Sequence, residues 1–155
     1  MAERPAPFDP IRMLQTLDRY RVNYIVIGAF ARVVHGADEV TDGLDITPSP
    51  RPENLRRLEL ALQELGVATA PKLDQPTAIQ SDAGEMKIVL EPHGTGGYDD
   101  IRRGSTREPL GAGVRPAVAS TGDLARMLAA SGTDPTRLQG LRRVAEIDAS
   151  LGRGL

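Results

Sequence analysis

The sequence predicts an α/β (α+β) fold, a mixed β-sheet flanked by helices. Three observations predict it. Stretches with helical apolar spacing alternate with short β-branched runs along the chain. Those runs are only four or five residues long, the length of buried strands rather than helices. A later segment sets Met86, Ile88 and Leu90 in alternation with Lys87, Val89 and Glu91 behind a Gly-containing turn, the pattern of a hairpin.

Taken in order, residues 1–8 are Pro-rich and read as a flexible N-terminus, leaving 9–155 as a single domain. Asp9-Pro10 is an N-cap followed by Pro at the first helical position. Ile11, Leu14 and Leu17 carry that helix to about Tyr20. Asn23 to Ile27 is a buried strand ended by Gly28. Ala29 to His35 form a short helix closed by Gly36. Leu44 to Thr47 make a second strand, stopped by Pro48-Ser49-Pro50.

Pro52 opens a helix with Leu55, Leu58, Leu62 and Leu65 as its stripe and Gly66 beyond its end. Val67 to Ala70 is expected as a short edge strand. Ala78 to Ser81 should pair with Met86 to Glu91 across the turn Asp82-Ala83-Gly84. Residues 92–97 form a Gly-rich loop, and Tyr98 to Arg103 one or two helical turns. Gly111 to Ala117 reads as an edge strand because of Pro116. Ser120 or Thr121 caps a further helix, and Asp134-Pro135 starts the last one.

Composition narrows the function classes. With 155 residues and 40% hydrophobic content the chain can bury one core. It has no Cys, which excludes disulfides and thiolate metal sites. No apolar run approaches the roughly 20 residues of a membrane helix, and no signal-peptide pattern opens the chain. The expectation is a cytoplasmic protein with no membrane association. A net charge of −2 confines any nucleic-acid contact to a local patch. Lys occurs only at positions 72 and 87, so nearly all positive charge is Arg.

The chemistry-bearing stretch runs from Ile25-Val26-Ile27-Gly28-Ala29 to Thr41-Asp42-Gly43-Leu44-Asp45-Ile46. A strand ends in Gly, a short helix follows, and an acidic strand comes next. This order is similar to that of the nucleotidyltransferase superfamily, in which Gly-Gly or Gly-Ser precedes Asp-x-Asp on the next strand. There is a physical reason for such a pattern. Gly and helix N-terminal amides let phosphates approach. Carboxylates at i and i+2 share one strand face and can grip Mg²⁺.

The likeness extends to His35-Gly36, Asn54-Leu55 with Leu65-Gly66, Leu90 to Ile101, and Val118 to Arg126, in an order that resembles AbiEii/MenT-type toxins. It spans roughly residues 11 to 145. It implies a nucleotidyltransferase-like sheet, Mg²⁺ with NTP as cofactors, a tRNA or protein acceptor, and an antitoxin-like protein partner. Asp45 is the metal and catalytic carboxylate it implies, with Gly28, Ala29, Thr41 and Lys87 around the nucleotide.

The chain also departs from the family. The first Asp of Asp-x-Asp falls on Gly43, and the third carboxylate falls on Lys87. Asp42 and Asp45 point to opposite faces of a regular strand; only a bulge at Gly43 would let Asp42 serve as a second catalytic carboxylate. Lys87 could neutralise the site in place of a metal by pairing with Asp45. The plain alternatives are a solvated Asp42, an Asp45 that merely pairs with a base, and a surface Lys87. His35 and His93 lack metal-ligand spacing, and His35 reads as a helix cap. Arg102, Arg103 and Arg107, with Arg142 and Arg143, are candidate phosphate contacts or simply helix surface.

Three functions follow. One is a toxin-like protein with impaired or lost transfer that binds nucleotide, RNA or a protein partner. The second is an active Mg²⁺-dependent transferase acting on tRNA or protein. The third is a non-enzymatic, antitoxin-like interaction subunit with no cofactor.

Overall fold

The computed structural model describes residues 6–132; the expected helix from Asp134-Pro135 lies outside them. Helix α1 covers Pro10–Arg19. Asp9 caps it by accepting a hydrogen bond from the Arg12 amide at 3.1 Å. Pro at N1 has no amide to leave unsatisfied there. Strand β1 (Tyr24–Ile27) is wholly buried, as its continuous β-branched run requires. Helix α2 (Gly28–Val34) follows with no connecting loop.

Strand β2 (Gly43–Pro48) pairs antiparallel with β1, and Ile27 stands opposite Asp45. Helix α3 (Pro52–Glu64) ends at Gly66, whose φ of +86° suits Gly. The expected strand at Val67 to Ala70 is absent. The Val67 amide bonds to the Leu62 carbonyl at 2.9 Å, closing the helix end instead of joining a sheet.

Strands β3 (Thr77–Ser81) and β4 (Gly84–Ile88) form the expected hairpin with a tighter turn. Ser81 pairs with Gly84 across Asp82-Ala83, so β4 begins two residues before Met86 and includes Glu85. Helix α4 (Tyr98–Ile101) runs into a 3₁₀ turn at Arg102–Gly104.

The expected strand at Gly111 to Ala117 contracts to β6 (Ala117–Val118), beside an unexpected β5 (Thr106–Arg107). Gly111 and Val114 form an isolated bridge that closes a tight loop in between. Helix α5 (Thr121–Ser131) is capped by Ser120, which accepts from the Asp123 amide at 3.0 Å.

The sheet order is β3-β4-β2-β1-β6-β5, with β2–β4 and β1–β6 parallel and the other pairs antiparallel. It is therefore a mixed sheet, and β6 lies inside it with β5 at the edge. Met13, Leu14 and Leu17 of α1, Leu58 and Leu62 of α3, and Leu44, Ile46, Met86 and Ile88 of the sheet form the core. Phe8 packs edge-on against Phe30.

Asn54 ties α3 to the sheet. Its Oδ1 accepts from the Asn23 amide at 2.7 Å, and its Nδ2 donates to the Asn23 and Ser49 carbonyls, each at 2.9 Å. The start of β1 and the end of β2 are held there, which fixes the register that sets Ile27 beside Asp45. Among the described residues no helix is long and apolar enough to cross a membrane.

Candidate functional site

Register brings the site together. Residues paired across neighbouring strands share a sheet face. Ile27, Asp45, Lys87 and Ala78 therefore form one row across β1, β2, β4 and β3. Gly43, Glu85 and Gln80 form the next row on the same face. Above the first row the chain turns at Gly28 into α2.

Gly28 has φ +71°, a conformation that residues with a Cβ adopt at a cost. A Cβ there would also coincide with the Asp45 carboxylate. Only Gly allows the strand to turn here with Asp45 beneath it.

A cavity of about 370 Å³ opens at this point, lined by Gly28, Ala29, Arg32, Asp45, Lys87 and His93 among others. Leu124, Met127 and Leu128 of α5 close its far side. A neighbouring hollow of about 390 Å³ shares Pro76 and Val89 with it and continues along the Gly-rich loop. The Asp45 cavity is the better site candidate, because cationic and anionic side chains converge in it on a glycine turn.

The electrostatics of Asp45 are unusual. Burial pushes its carboxyl above the ordinary carboxylate range; Lys87 and Arg32 counter this, and Glu85 adds to it. Lys87 lies beside Asp45 in register, yet the two form no direct ion pair. Lys87 is an exposed residue that lines the cavity, and among the described residues no ion pair holds it.

Arg32 is held elsewhere. Its Nε and Nη2 donate to Glu39 at 2.7 and 3.0 Å, in a fork between two largely buried side chains. His35 stands at the end of α2, and its Nε2 contacts the Ala119 carbonyl at 2.8 Å, joining α2 to the start of α5.

Of the residues expected from sequence, Gly28, Ala29, Asp45 and Lys87 line the cavity together. Thr41 and Asp42 do not line it. They precede β2 in the loop, where Asp42 is exposed and the Thr41 hydroxyl donates to the Gly43 carbonyl at 3.0 Å. β2 runs in regular register from Gly43 onward, with no bulge to turn Asp42 inward. Sequence reading missed Arg32, whose helix is too short to show periodicity. It also missed Glu85, although stepping the Met86/Ile88 alternation back one residue places Glu85 on the Lys87 face.

The strand–glycine–helix–strand unit, the six-stranded mixed sheet and the carboxylate facing the glycine turn define a nucleotidyltransferase-like fold. The solution structure of the antibiotic-resistance factor ANT(2'')-Ia, a nucleotidyltransferase, is similar to this chain, with a TM-score of 0.60 at 16% identity. The match covers 92% of this chain and 82% of that one. No family model matches the sequence, and no curated protein matches it.

Proposed function

We propose that this chain binds a nucleoside triphosphate in the Asp45 cavity and transfers its nucleotidyl group, with release of pyrophosphate, poorly or not at all. The observation that supports the reading is the in-register pair Asp45–Lys87 beside the glycine turn at Gly28. A Lys ammonium lining a cavity, held by no ion pair among the described residues, is a point-charge partner for phosphate. Gly28 adds no side chain of its own to the turn, and the Asp45 carboxylate fills the space beside it, so the positive charge for a phosphate chain comes from Lys87.

Transfer is the weaker half. A divalent ion in such a site would neutralise phosphate oxygens and activate the attacking hydroxyl. Gly43 brings no carboxylate to it, and among the described residues no three His, Asp or Glu side chains converge as metal ligands. Asp42 sits outside the cavity, which disfavours an active transferase built on an Asp42–Asp45 pair. The motif order similar to AbiEii/MenT toxins favours a tRNA end or a protein hydroxyl as acceptor of any residual transfer, and an antitoxin-like protein as partner.

Two measurements test this reading. Each of the four NTPs is added to the folded protein and its melting temperature followed, since a ligand of the native state raises it. At least one should stabilise the wild type, and Lys87→Ala should abolish that shift. Labelled NTP with Mg²⁺ and total tRNA should give no product. Abundant product that disappears with Asp45→Ala would overturn the loss of transfer. The absence of any NTP-induced shift would overturn nucleotide binding and favour a purely protein-binding module.

A further inference from the structure

A second polar cavity opens at the start of β1, about 10 Å along the strand from Ile27. It measures about 360 Å³ and shares no lining residue with the Asp45 cavity. Asp18 of α1, Tyr24 of β1, Tyr98 of α4, Arg102 and Ser105 around the 3₁₀ turn, and Arg107 of β5 line it.

Local structure holds both guanidiniums at this wall. Arg102 stands one helical turn after Tyr98, and its guanidinium carbon lies 6.0 Å from the centre of the Tyr98 ring, a cation–π contact. The Arg102 carbonyl accepts from the Ser105 amide at 3.1 Å and from the Ser105 hydroxyl at 2.7 Å, which closes the turn. Arg107 Nη1 donates to the Arg115 carbonyl at 3.2 Å, which steadies it at the sheet edge. Both arginines are exposed, and among the described residues no ion pair holds either. Each keeps guanidinium donors for an anion. Tyr24 is buried, and its hydroxyl donates to Asp18 at 3.0 Å. Burial pushes the Tyr24 phenol up and Asp18 adds to this, while Arg107 is near enough to oppose it.

Two arginine forks at one cavity match the oxygens of a phosphate. Asp18 brings a negative charge to the same cavity. That disfavours a nucleic-acid strand, whose charge repeats at every nucleotide, and offers an acceptor to a ligand that carries hydroxyls. The volume lies at the small end of ligand pockets. We propose that this cavity is a second ligand site, which takes a small phosphomonoester bearing free hydroxyls, such as a sugar phosphate. Arg102 and Arg107 take its phosphate, and Asp18 takes a hydroxyl. The site is independent of the nucleotide reading, because it uses none of the residues of the Asp45 cavity.

The test uses the ¹⁵N-labelled full chain and follows amide shifts during titration with ribose 5-phosphate, inorganic phosphate, ribose, and a single-stranded RNA oligomer without a terminal phosphate. Ribose 5-phosphate should shift the amides of Asp18, Tyr24 and residues 102–107 and leave those of Gly28, Asp45 and Lys87 in place. Inorganic phosphate should bind at the same amides more weakly, and ribose not at all. Arg102→Gln and Arg107→Gln should each weaken ribose 5-phosphate by roughly tenfold or more, the loss of one charge-assisted contact. Lys87→Ala should leave it unchanged. Asp18→Asn should tighten inorganic phosphate by removing a like charge, and narrow the preference for the sugar ester. If an arginine variant fails to fold, Asp18→Asn decides. No shift at millimolar ribose 5-phosphate, shifts centred on the Asp45 cavity, or indifference to these substitutions would overturn the proposal. So would inorganic phosphate or the RNA oligomer binding here as tightly as the sugar ester.

Discussion

The Asp45 carboxylate occupies the space that a side chain on Gly28 would need. The strand, the turn and the acid are thereby locked to one geometry. Gly28→Ala must place a methyl against that carboxylate and hold a left-handed backbone at φ +71°. Left-handed strain and overpacking each cost about 1–3 kcal/mol. The variant should therefore lose roughly 2–4 kcal/mol, read from the denaturant midpoint. A midpoint equal to that of the wild type would show that the turn relaxes freely.

Asp45 itself should destabilise the fold at neutral pH. Its folded-state pKa lies above the ordinary carboxylate value, chiefly through burial. The folded protein then binds a proton that the unfolded chain has released, so stability falls as pH rises through that interval. Asp45→Asn removes the charge at nearly constant shape. It should melt at a higher temperature than the wild type at pH 7, and the difference should shrink as the pH is taken below the ordinary carboxylate value. A pH-independent difference would indicate a packing effect.

How much of this was legible in the sequence depended on the range of the cause. The Ile27–Gly28 strand end and the Leu44–Asp45–Ile46 strand carry local signals, and both formed. Glu85 was hidden by one turn. Reading Asp82-Ala83-Gly84 as the hairpin loop starts the strand at Met86, whereas Ser81 bonds to Gly84 and the loop has two residues. The two-residue strands β5 and β6 are too short for any periodicity to mark them. Val67 has a strand-like side chain, but the end of α3 takes its amide. His35 reads as a cap, and its contact with the Ala119 carbonyl depends on chain 84 residues away. Nothing local marks Arg32, because its burial depends on Glu39, which lies beyond the helix.

The Arg32–Glu39 fork should be costly to break. Arg32 is 5% exposed, and its guanidinium stays charged. Removing one partner of a buried pair leaves an uncompensated charge, typically at 3–5 kcal/mol. Glu39→Ala should lower stability by roughly 3 kcal/mol or more. The surface pair Arg57–Glu53 supplies the contrast, since Glu53 is largely exposed. Glu53→Ala should change stability by about 0.5 kcal/mol or less. Parallel urea titrations of the two variants would compare them, and equal midpoints would contradict the assignment.

Asn54 should prove more important than its position on a helix suggests. It is 2% exposed and makes three hydrogen bonds, one accepted and two donated. Asn54→Ala strands the Asn23 amide and reduces the partners of two carbonyls, at roughly 2–4 kcal/mol. Asn54→Leu should not recover this, because an apolar group of similar size leaves the same polar atoms unmatched. Asn54→Asp keeps the acceptor for the Asn23 amide but points a carboxylate at the Asn23 and Ser49 carbonyls. Protonation would restore one donor, so this variant alone should gain stability relative to the wild type as pH falls toward 4. Thermal melts of the three variants across that range would show it, and a parallel decline of all three would place the role of Asn54 in packing instead.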